Sequence, residues 1–371
     1  MGLRICMVSN TDELGCMVVR NLLIKLLRDR YPDSHIVVLA EERFIDRVRK
    51  FHRQASWVDE CLAIESEQAI KPLQKLKLWR LLKAQRFDTI IYSPGSKIPY
   101  WIPYLCGIPT RVGLGLGRSS WQCRCLNHVA ELEEPYHIDT HWISLIKSYA
   151  QALGIDDFKE ASAHVPFLRV EERIHAPEDS AAVRVVVHVG GNPGWNRRWP
   201  LKNFLRLCKL LASEANTAID LLGSSSEAYE NKLIVEEVKN DNSSAAIADV
   251  SGGTVQDTAS YIAEADLFIG NDSGPMNMAA ALGTPIVAIR GADPENFRPD
   301  AVDSKHLVLS GWANCSRRRN GTNDCDFGCP IAYDRSKQEY PKCMETISFE
   351  SVWNAVERQL NLQTAPKLPT C

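Results

Sequence analysis

Short apolar runs alternate with stretches of helical periodicity along most of the chain. Residues 4–8 predict a buried strand, and the apolar positions between Val18 and Leu27 then recur at helical spacing. Further strands are predicted at Ile36–Leu39, Trp57–Leu62 and Thr89–Tyr92. Strands separated by helices long enough for crossovers are typical of a parallel sheet that is covered on both faces.

The same alternation restarts after an aperiodic segment. A helix is predicted around residues 138–153, and the segment from Gly154 to Val183 has no period. Six further strands are predicted at Val183–Val189, Ala218–Leu222, Ala246–Val250, Leu267–Ile269, Pro285–Ile289 and Leu307–Leu309. The predicted organisation is an N-terminal domain at 1–165, a linker at 166–182, a C-terminal domain at 183–346, and a final helix and tail at 347–371. Ligands of two such doubly wound domains are expected in a cleft at the carboxyl ends of their strands.

The composition is that of a globular protein and excludes several classes. At 371 residues the chain is long enough for two cores, and 45% apolar and 24% charged residues are typical of globular domains. A net charge of −3 without a block of Lys or Arg argues against nucleic acid as a partner. The first apolar run is too short for a signal peptide, and no run reaches the ~18 residues of a membrane span, so we expect a cytoplasmic protein. Membrane contact, at the inner face of the inner membrane, would be peripheral, and no amphipathic anchor is obvious.

The most informative motif follows the strand predicted at Leu267–Ile269. A helix of small residues begins directly after the strand and the sequence Asp272-Ser273-Gly274-Pro275-Met276-Asn277. The first N–H groups of a helix and its partial positive charge suit a phosphate or diphosphate. A capped helix in a close-packed core fits the same residues, so physics alone leaves both interpretations open.

A second loop of this kind follows the strand predicted at Val183–Val189. It contains Gly190, Gly191, Asn192, Pro193 and Gly194, and then Arg197, Arg198, Trp199 and Pro200. Glycines allow close approach to the backbone and arginines neutralise phosphate oxygens, so the loop is a candidate anion site. A glycine-rich loop with solvated arginines is equally consistent with the sequence. Because both loops leave the same predicted sheet, their convergence favours a binding function.

Neither loop matches the common nucleotide fingerprints. No Gly-Lys-Ser/Thr follows the glycines, as a Walker motif requires, and the glycine run at 113–117 lacks the G-x-G-x-x-G spacing. These departures argue against a P-loop enzyme and against a dehydrogenase.

The chain has 12 cysteines, which in a non-secreted protein of this length do not predict a disulfide framework. A polar loop at 312–343 contains Cys315, Cys325, Cys329 and Cys343. Four thiols can hold a structural zinc or iron, although the first and last gaps exceed those of typical zinc modules. A metal site and a metal-free loop both remain open.

Taken in order, the motifs resemble glycosyltransferase family 9, whose best-known members are the lipopolysaccharide heptosyltransferases. The resemblance covers most of the chain. In the second half it rests on Gly190 to Pro200, Leu221 to Glu227 and Asp272 to Pro285. In the first half it rests on Leu14-Gly15 with Tyr31-Pro32-Asp33, and on Tyr136 to Asp139.

This resemblance implies a GT-B fold, in which two facing Rossmann-like domains of α/β class hold the acceptor in the first domain and the nucleotide sugar in the second. It implies inverting transfer without a required metal or cofactor: a base deprotonates the acceptor hydroxyl, and a helix terminus with cations stabilises the departing diphosphate. Arg197 would supply the cation and Glu227 would accept the ribose hydroxyls. The implied donor-binding set is Gly190, Gly191, Asn192, Arg197, Trp199, Glu227, Asp272, Ser273, Gly274, Pro275, Met276 and Asn277.

Three positions depart from the family pattern. The catalytic Asp of the family directly follows the Leu-Gly pair of the first loop, where this chain has Cys16. A thiol with an ordinary pKa of ~8.5 is a poor base unless its environment lowers that pKa. Asp12 and Glu13 lie on the same loop and are alternative bases, although acidic residues are also ordinary at a helix start. Asn277 replaces the family's signature His, and Arg197 replaces its usual Lys.

The leading hypothesis is therefore transfer of a sugar, by the family's implication heptose from ADP-heptose, to a lipopolysaccharide-core or related glycan. A nucleotide-sugar hydrolase or epimerase would use the same donor loops but would need no acceptor. A non-catalytic nucleotide-sugar-binding protein is the third hypothesis, because Cys16 occupies the position of the base.

Overall fold

The structure is a computed structural model of the 371-residue chain. It describes residues 2–9, 13–65, 71–94, 96, 98–114, 120–132, 140–155, 168, 170, 183–191, 197–214, 216–291, 297–299, 303, 305–311 and 340–361. The chain divides into two compact units, Met1–Arg169 and Val170–Cys371. The predicted linker at 166–182 falls almost entirely outside the described residues, so the predicted domain boundaries stay predictions.

The first unit is built on a parallel sheet of six strands. Its strands are β1 (Arg4–Val8), β2 (His35–Glu41), β3 (Glu60–Ile64), β4 (Thr89–Tyr92), β5 (Thr110–Leu114) and β6 (His128–Ala130). They lie in the order β3-β2-β1-β4-β5-β6, and every neighbouring pair is parallel. The order reverses between β1 and β4, so the loops that leave these strands form the switch point where ligands of such sheets bind.

The helices of the first unit connect these strands. The described ones are α1 (Leu14–Arg30), α2 (Ile45–Ala55), α3 (Pro72–Gln85), α4 (Trp101–Cys106), α5 (Ser120–Cys123) and α6 (Trp142–Ala152), with a 3-10 turn at Glu42–Phe44. Leu78 and Leu82 of α3 pack with Val37 and Ile90 of the strands in one buried cluster. Removing such aliphatic side chains from water stabilises the fold by about 25 cal/mol per Å² of apolar surface.

The second unit repeats the arrangement of the first. Its strands are β7 (Val183–His188), β8 (Thr217–Leu222), β9 (Ala246–Asp249), β10 (Leu267–Asn271), β11 (Ile286–Arg290) and β12 (Leu307–Ser310). They lie in the order β12-β11-β10-β7-β8-β9, again with every neighbouring pair parallel. His188, the last residue of β7, is in register with Gly270 of β10. The loops after these two strands therefore start side by side.

The described helices of the second unit cover this sheet. They are α7 (Leu201–Ser213), α8 (Ala228–Asp241), α9 (Val255–Ala263), α10 (Gly274–Leu282), α11 (Lys342–Glu345) and α12 (Phe349–Leu360). Phe204 of α7, Val287 of β11 and Val352 of α12 belong to one buried cluster, so the last helix is part of the core of this unit. None of the described helices is long and apolar enough to cross a membrane.

The α/β class with doubly wound parallel sheets agrees with the prediction from the sequence. Strand β10 runs two residues beyond its predicted end at Ile269, because Gly270 and Asn271 continue the ladder with β11. The helix predicted at 138–153 is described from Trp142 onward. Strands β5 and β6 were not predicted. Arg111 and Gly113 interrupt the apolar residues of β5, and only one of the three residues of β6 is buried.

Candidate functional site

The carboxyl ends of β7, β8 and β10 carry a cluster of buried polar residues. Asn271, at the end of β10, is completely buried. Its amide Nδ2 donates to the carbonyls of Val189 at 2.9 Å and Gly190 at 2.8 Å, and its Oδ1 accepts the backbone N–H of Trp199 at 3.0 Å. One side chain thereby fastens both ends of the glycine-rich loop to the neighbouring strand.

Glu227 joins the loop after β8 to the loop after β7. Its Oε1 accepts the N–H of Gly191 at 2.8 Å, and its Oε2 accepts the N–H and the hydroxyl of Ser224 at 2.7 and 2.8 Å. Burial acts to raise the pKa of Glu227, but contact with His188 and the N–H groups of Ser224 and Gly191 outweigh it and hold that pKa well below the usual range. The side chain is therefore a charged link between two loops. Both carboxylate oxygens already accept hydrogen bonds from the protein. The contact between Glu227 and a ribose stays a prediction.

Two glycines of this loop have different structural reasons. A Cβ on Gly190 would lie 1.9 Å from Oε1 of Glu227, so any other residue here would force that carboxylate to move. Gly191 has a φ of +146°, a backbone conformation that favours glycine. The sequence interpretation assigned these glycines to close approach by a phosphate. In the structure the close approach is made by Glu227.

The two adjacent arginines of the loop have different environments. Arg198 is buried, and its Nε and Nη2 donate to the carbonyl of Gly191 at 3.0 and 2.7 Å. Its Nη atoms also lie 3.4 Å from Glu227 and from Glu230. Arg197 is less enclosed, and its Nη1 lies 3.9 Å from Oδ1 of Asp272. Arg198 therefore shapes the loop, and Arg197 is the better placed of the two to meet a ligand.

Asp272 balances arginines from two segments. It is 2% exposed, and its Oδ2 accepts hydrogen bonds from Nε and Nη2 of Arg290 at 3.0 and 2.9 Å, while Arg197 lies on the Oδ1 side. A carboxylate held between two guanidinium groups orients those cations. Direct contact between Asp272 and a diphosphate, which the resemblance implied, would be opposed by like charge, so the geometry favours an indirect role.

Ser273 precedes α10 but does not cap it with its side chain. Its hydroxyl instead lies 3.0 Å from Nδ1 of His188, and Nε2 of His188 lies 3.7 Å from Oε2 of Glu227. Gly274 and Pro275 form the half-exposed first turn of the helix. The positive end of the α10 dipole, a hydroxyl and nearby Arg197 form a setting that suits an anionic group.

Three other predicted donor residues point into the protein. Trp199 is 1% exposed, its Nε1–H donates to the carbonyl of Ile347 at 2.9 Å, and its ring stacks on Phe349. Met276 is completely buried, and Nδ2 of Asn277 donates to the carbonyl of Ser273 at 3.2 Å. These side chains pack beneath the loops. In this arrangement they do not face a ligand, whereas the sequence predicted that they contact the nucleotide sugar. Asn192 lies outside the described residues.

His188, Asn271 and Arg290 were not singled out as site residues from the sequence. Each is the polar last residue of a strand whose preceding residues are mostly apolar. Because the carboxyl ends of parallel strands face the ligand-binding edge, a polar residue at that place is a usable signal.

In the first unit, the predicted catalytic residues lie after β1. Glu13 is exposed at the N-cap position of α1, where its backbone is extended and its side chain makes no cap hydrogen bond. Cys16 is half-buried in the first turn of α1 and takes part in no disulfide. Asp12 and the segment from Tyr136 to Asp139 lie outside the described residues.

The predicted metal site is described only at one ligand. Cys343 lies half-buried in α11, whereas Cys315, Cys325 and Cys329 fall outside the described residues. Within the part of the chain that the structure describes, no group of three or more His, Cys, Asp or Glu side chains could hold a metal ion. A structural zinc or iron stays a prediction.

Two doubly wound units, one with an anion-suited helix start at the switch point of its sheet, form an architecture that suits an enzyme acting on a nucleotide-linked substrate. The family model of glycosyltransferase family 9 (heptosyltransferase) matches residues 75–325. The chain therefore belongs to that family and is a glycosyltransferase, as its motifs indicated.

Individual relatives sharpen this assignment. The chain is 26% identical over 317 residues to lipopolysaccharide heptosyltransferase 2 of Escherichia coli K12, which covers 81% of this chain and 87% of the relative. Its fold is similar to the solved structure of E. coli ADP-heptose lps heptosyltransferase II, with a TM-score of 0.64, 20% identity, and coverage of 97% and 99% of the two chains. It is also similar to E. coli heptosyltransferase WaaC with ADP-2-deoxy-2-fluoro heptose, with a TM-score of 0.62, 14% identity, and coverage of 96% and 99%. These likenesses confirm the GT-B class of fold.

Proposed function

We propose that the protein transfers heptose from ADP-heptose to a lipopolysaccharide-core glycan, by an inverting and metal-independent reaction, in the cytoplasm at the inner face of the inner membrane. The observation that carries this proposal is the alignment with lipopolysaccharide heptosyltransferase 2, which spans 81% of this chain and 87% of the relative. An alignment of that length includes parts of both units. A shared donor domain alone would not produce it.

The second unit supplies the donor site in this proposal. The diphosphate of the nucleotide sugar lies at the start of α10, where backbone N–H groups, the Ser273 hydroxyl and Arg197 meet its charge. Asp272, which is itself paired with Arg290, lies beside Arg197 and helps to position it. When the anomeric bond breaks, negative charge grows on the leaving diphosphate, and donors fixed in advance stabilise that charge most effectively.

His188 lies between Glu227 and Ser273. Its Nδ1 is 3.0 Å from the hydroxyl oxygen of Ser273, and its Nε2 is 3.7 Å from Oε2 of Glu227. The low pKa of Glu227 keeps a negative charge beside the ring. The imidazole therefore connects the start of α10 to the charged link between the two loops.

The first unit supplies the base. In the reaction the acceptor oxygen forms a bond to the anomeric carbon, the bond from that carbon to the phosphate oxygen breaks, and ADP leaves with the electron pair. The acceptor's proton goes to a carboxylate, and Glu13 is exposed for this role at the N-cap of α1. Asp12 is the second candidate on the same loop. Cys16 occupies the family's Asp position, but a thiolate is not required for this step.

The test is release of ADP from ADP-heptose, with and without lipopolysaccharide from a strain that lacks core heptose. Three proteins are compared: the wild type, Ser273→Ala and Ser213→Ala. Ser213 is exposed at the last residue of α7 in the same unit, and its hydroxyl donates to the carbonyl of Leu210 at 2.6 Å. An exposed substitution of this kind changes stability by about 0.5 kcal/mol or less.

Acceptor-dependent ADP release that falls in Ser273→Ala, but not in Ser213→Ala, supports the transferase and its donor site. Release at an equal rate without acceptor identifies a hydrolase. Binding of ADP-heptose without release under any condition identifies a binding protein. Either of the last two results contradicts the proposal.

A further inference from the structure

Helix α3 of the first unit is basic along its whole length. Between residues 71 and 86 the sequence has no Asp or Glu. The basic residues of this segment are Lys71, Lys75, Lys77, Arg80, Lys83 and Arg86. None of these residues has a part in the proposed reaction.

One face of this helix is both apolar and cationic. Leu73 and Leu76 are 65% and 42% exposed, and Lys77, Arg80 and Lys83 are exposed as well. At 100° per residue these five side chains fall on the same side of the helix. We call them the α3 face.

The opposite side of α3 explains why the sequence did not reveal this face. Leu78 and Leu82 are buried against the strands of the sheet. Leucines therefore occur on both sides of the helix, and the sequence shows no single apolar stripe. Only the exposure of Leu73 and Leu76 distinguishes the two sides.

Residues next to the α3 face are also apolar or positively charged. Helix α4 packs against α3 and exposes Tyr104 and Leu105, at 53% and 59%. Nζ of Lys83 lies over the ring of Trp79, 4.9 Å from its centroid. Lys77 pairs with the exposed Glu65 at 2.5 Å, so Arg80 and Lys83 carry most of the net charge of the face.

We propose that the α3 face docks the protein on an anionic lipid bilayer. Leu73 and Leu76 enter the boundary between headgroups and acyl chains, where exposed apolar side chains leave water. Arg80 and Lys83 keep their charged ends at the phosphate headgroups, since their long stems allow the charge to stay at the surface. The positive charge of the helix is complementary to the negative surface of such a membrane. The proposed membrane docking does not depend on the proposed heptose transfer.

The experiment measures partition of the full-length protein onto vesicles by flotation. The vesicles are phosphatidylcholine alone and phosphatidylcholine mixed with phosphatidylglycerol. The variants are Arg80→Glu with Lys83→Glu, and Leu73→Ser with Leu76→Ser. The matched control is Lys232→Glu with Lys239→Glu, which makes the same charge change on the exposed side of α8 in the second unit. Circular dichroism shows whether each variant is folded.

The wild type and the α8 variant are expected to bind the mixed vesicles, and less so at high salt. The α3 charge variant should lose roughly 30-fold or more in partition, because each basic residue at an anionic surface contributes about a factor of five. The leucine variant should also bind more weakly.

Four results would overturn the proposal: no binding of the folded wild type to the mixed vesicles, equal loss in the α8 variant, equal binding to phosphatidylcholine alone, or unchanged partition of the α3 charge variant. If the α3 charge variant keeps its vesicle partition but has a raised KM for lipopolysaccharide in detergent, the face binds the glycan acceptor and not the bilayer. That result also contradicts the proposal, and it leaves the proposed transfer standing.

Discussion

The two units have the same strand order but differ at the carboxyl ends of their central strands. In the second unit Asn271, Glu227 and Asp272 are buried there and hydrogen-bonded to protein partners. In the first unit, the described residues after β1 include an exposed Glu13 and a half-buried Cys16. Groups that stabilise charge on a departing diphosphate act best when they are fixed before the reaction. A general base has to contact the hydroxyl group of the acceptor, and an exposed side chain is accessible to it.

The largest effect is expected from Glu13→Gln in the first unit. If Glu13 is the proposed general base, its removal should lower kcat by about 10²–10⁴. The KM for ADP-heptose and the free energy of unfolding should stay near wild type, because the side chain is exposed. Steady-state kinetics with saturating acceptor measure both constants.

The same assignment predicts a rescue. Cys16→Asp, added to Glu13→Gln, restores a carboxylate to the same end of α1 and should recover part of the rate. If Glu13→Gln turns over normally and Asp12→Asn does not, the base is Asp12, and our choice between the two residues is wrong.

Asp272→Asn in the second unit should act on stability first. It leaves Arg290 buried without its charged partner, and breaking such a pair costs about 3–5 kcal/mol. Urea unfolding followed by circular dichroism measures the loss. The exposed pair of Lys25 and Asp29 in the first unit is the comparison, where Asp29→Asn should cost under about 1 kcal/mol. Similar losses of unfolding free energy in Asp272→Asn and Asp29→Asn would mean that the buried ion pair stabilises the protein no more than the exposed one.

Gly190→Ala tests the close contact with Glu227. The new Cβ would require the carboxylate to move, and overpacking of this kind costs about 1–3 kcal/mol. Because the displaced carboxylate disturbs the loop, the affinity for ADP-heptose, measured by calorimetry, should also fall. Gly154→Ala in the first unit is the control, since its left-handed backbone is strained by Ala while no atom lies within 4 Å of the added Cβ. An unchanged affinity for ADP-heptose in Gly190→Ala would show that this loop is not part of the donor site.

The smallest effect is a pH dependence. Because the pKa of folded Glu227 lies below its unfolded value of ~4.3, the unfolded chain binds the extra proton first as the pH falls. The stabilisation from Glu227 is therefore present above that value and lost below it. Glu227→Gln should flatten the acid side of the plot of unfolding free energy against pH. Glu236→Gln on the exposed side of α8 controls for the loss of one carboxylate.

The fold followed from the sequence because the strands are nearly unbroken apolar runs with helices between them. Strand β7 has Val at four of its six positions, and burial of both faces leaves few other interpretations. Strand β6 could not be found in this way, since His128 and Val129 are exposed. Its position depends on pairing with β5 and not on its own composition.

The site followed less completely, because sequence shows which residues are adjacent and not which way they point. Arg197 and Arg198 are neighbours with the same chemistry, yet only Arg198 is enclosed by Gly191 and Glu230. Trp199 looked like a ligand contact and lies in the core. The motifs located the loops correctly at strand ends, whereas the division between ligand contact and internal support depended on tertiary packing.

The contacts of Trp199 also bear on the biosynthesis of the protein. Its indole N–H donates to Ile347, and its ring stacks on Phe349, so the glycine-rich loop rests on residues made about 150 positions later. A nascent chain folds as its segments leave the ribosome, and the first unit emerges complete while the second still lacks α12. The glycine-rich loop therefore gains this support only after residue 349 has left the ribosome, and a ribosome stalled before residue 347 would carry a folded first unit and an unsupported loop.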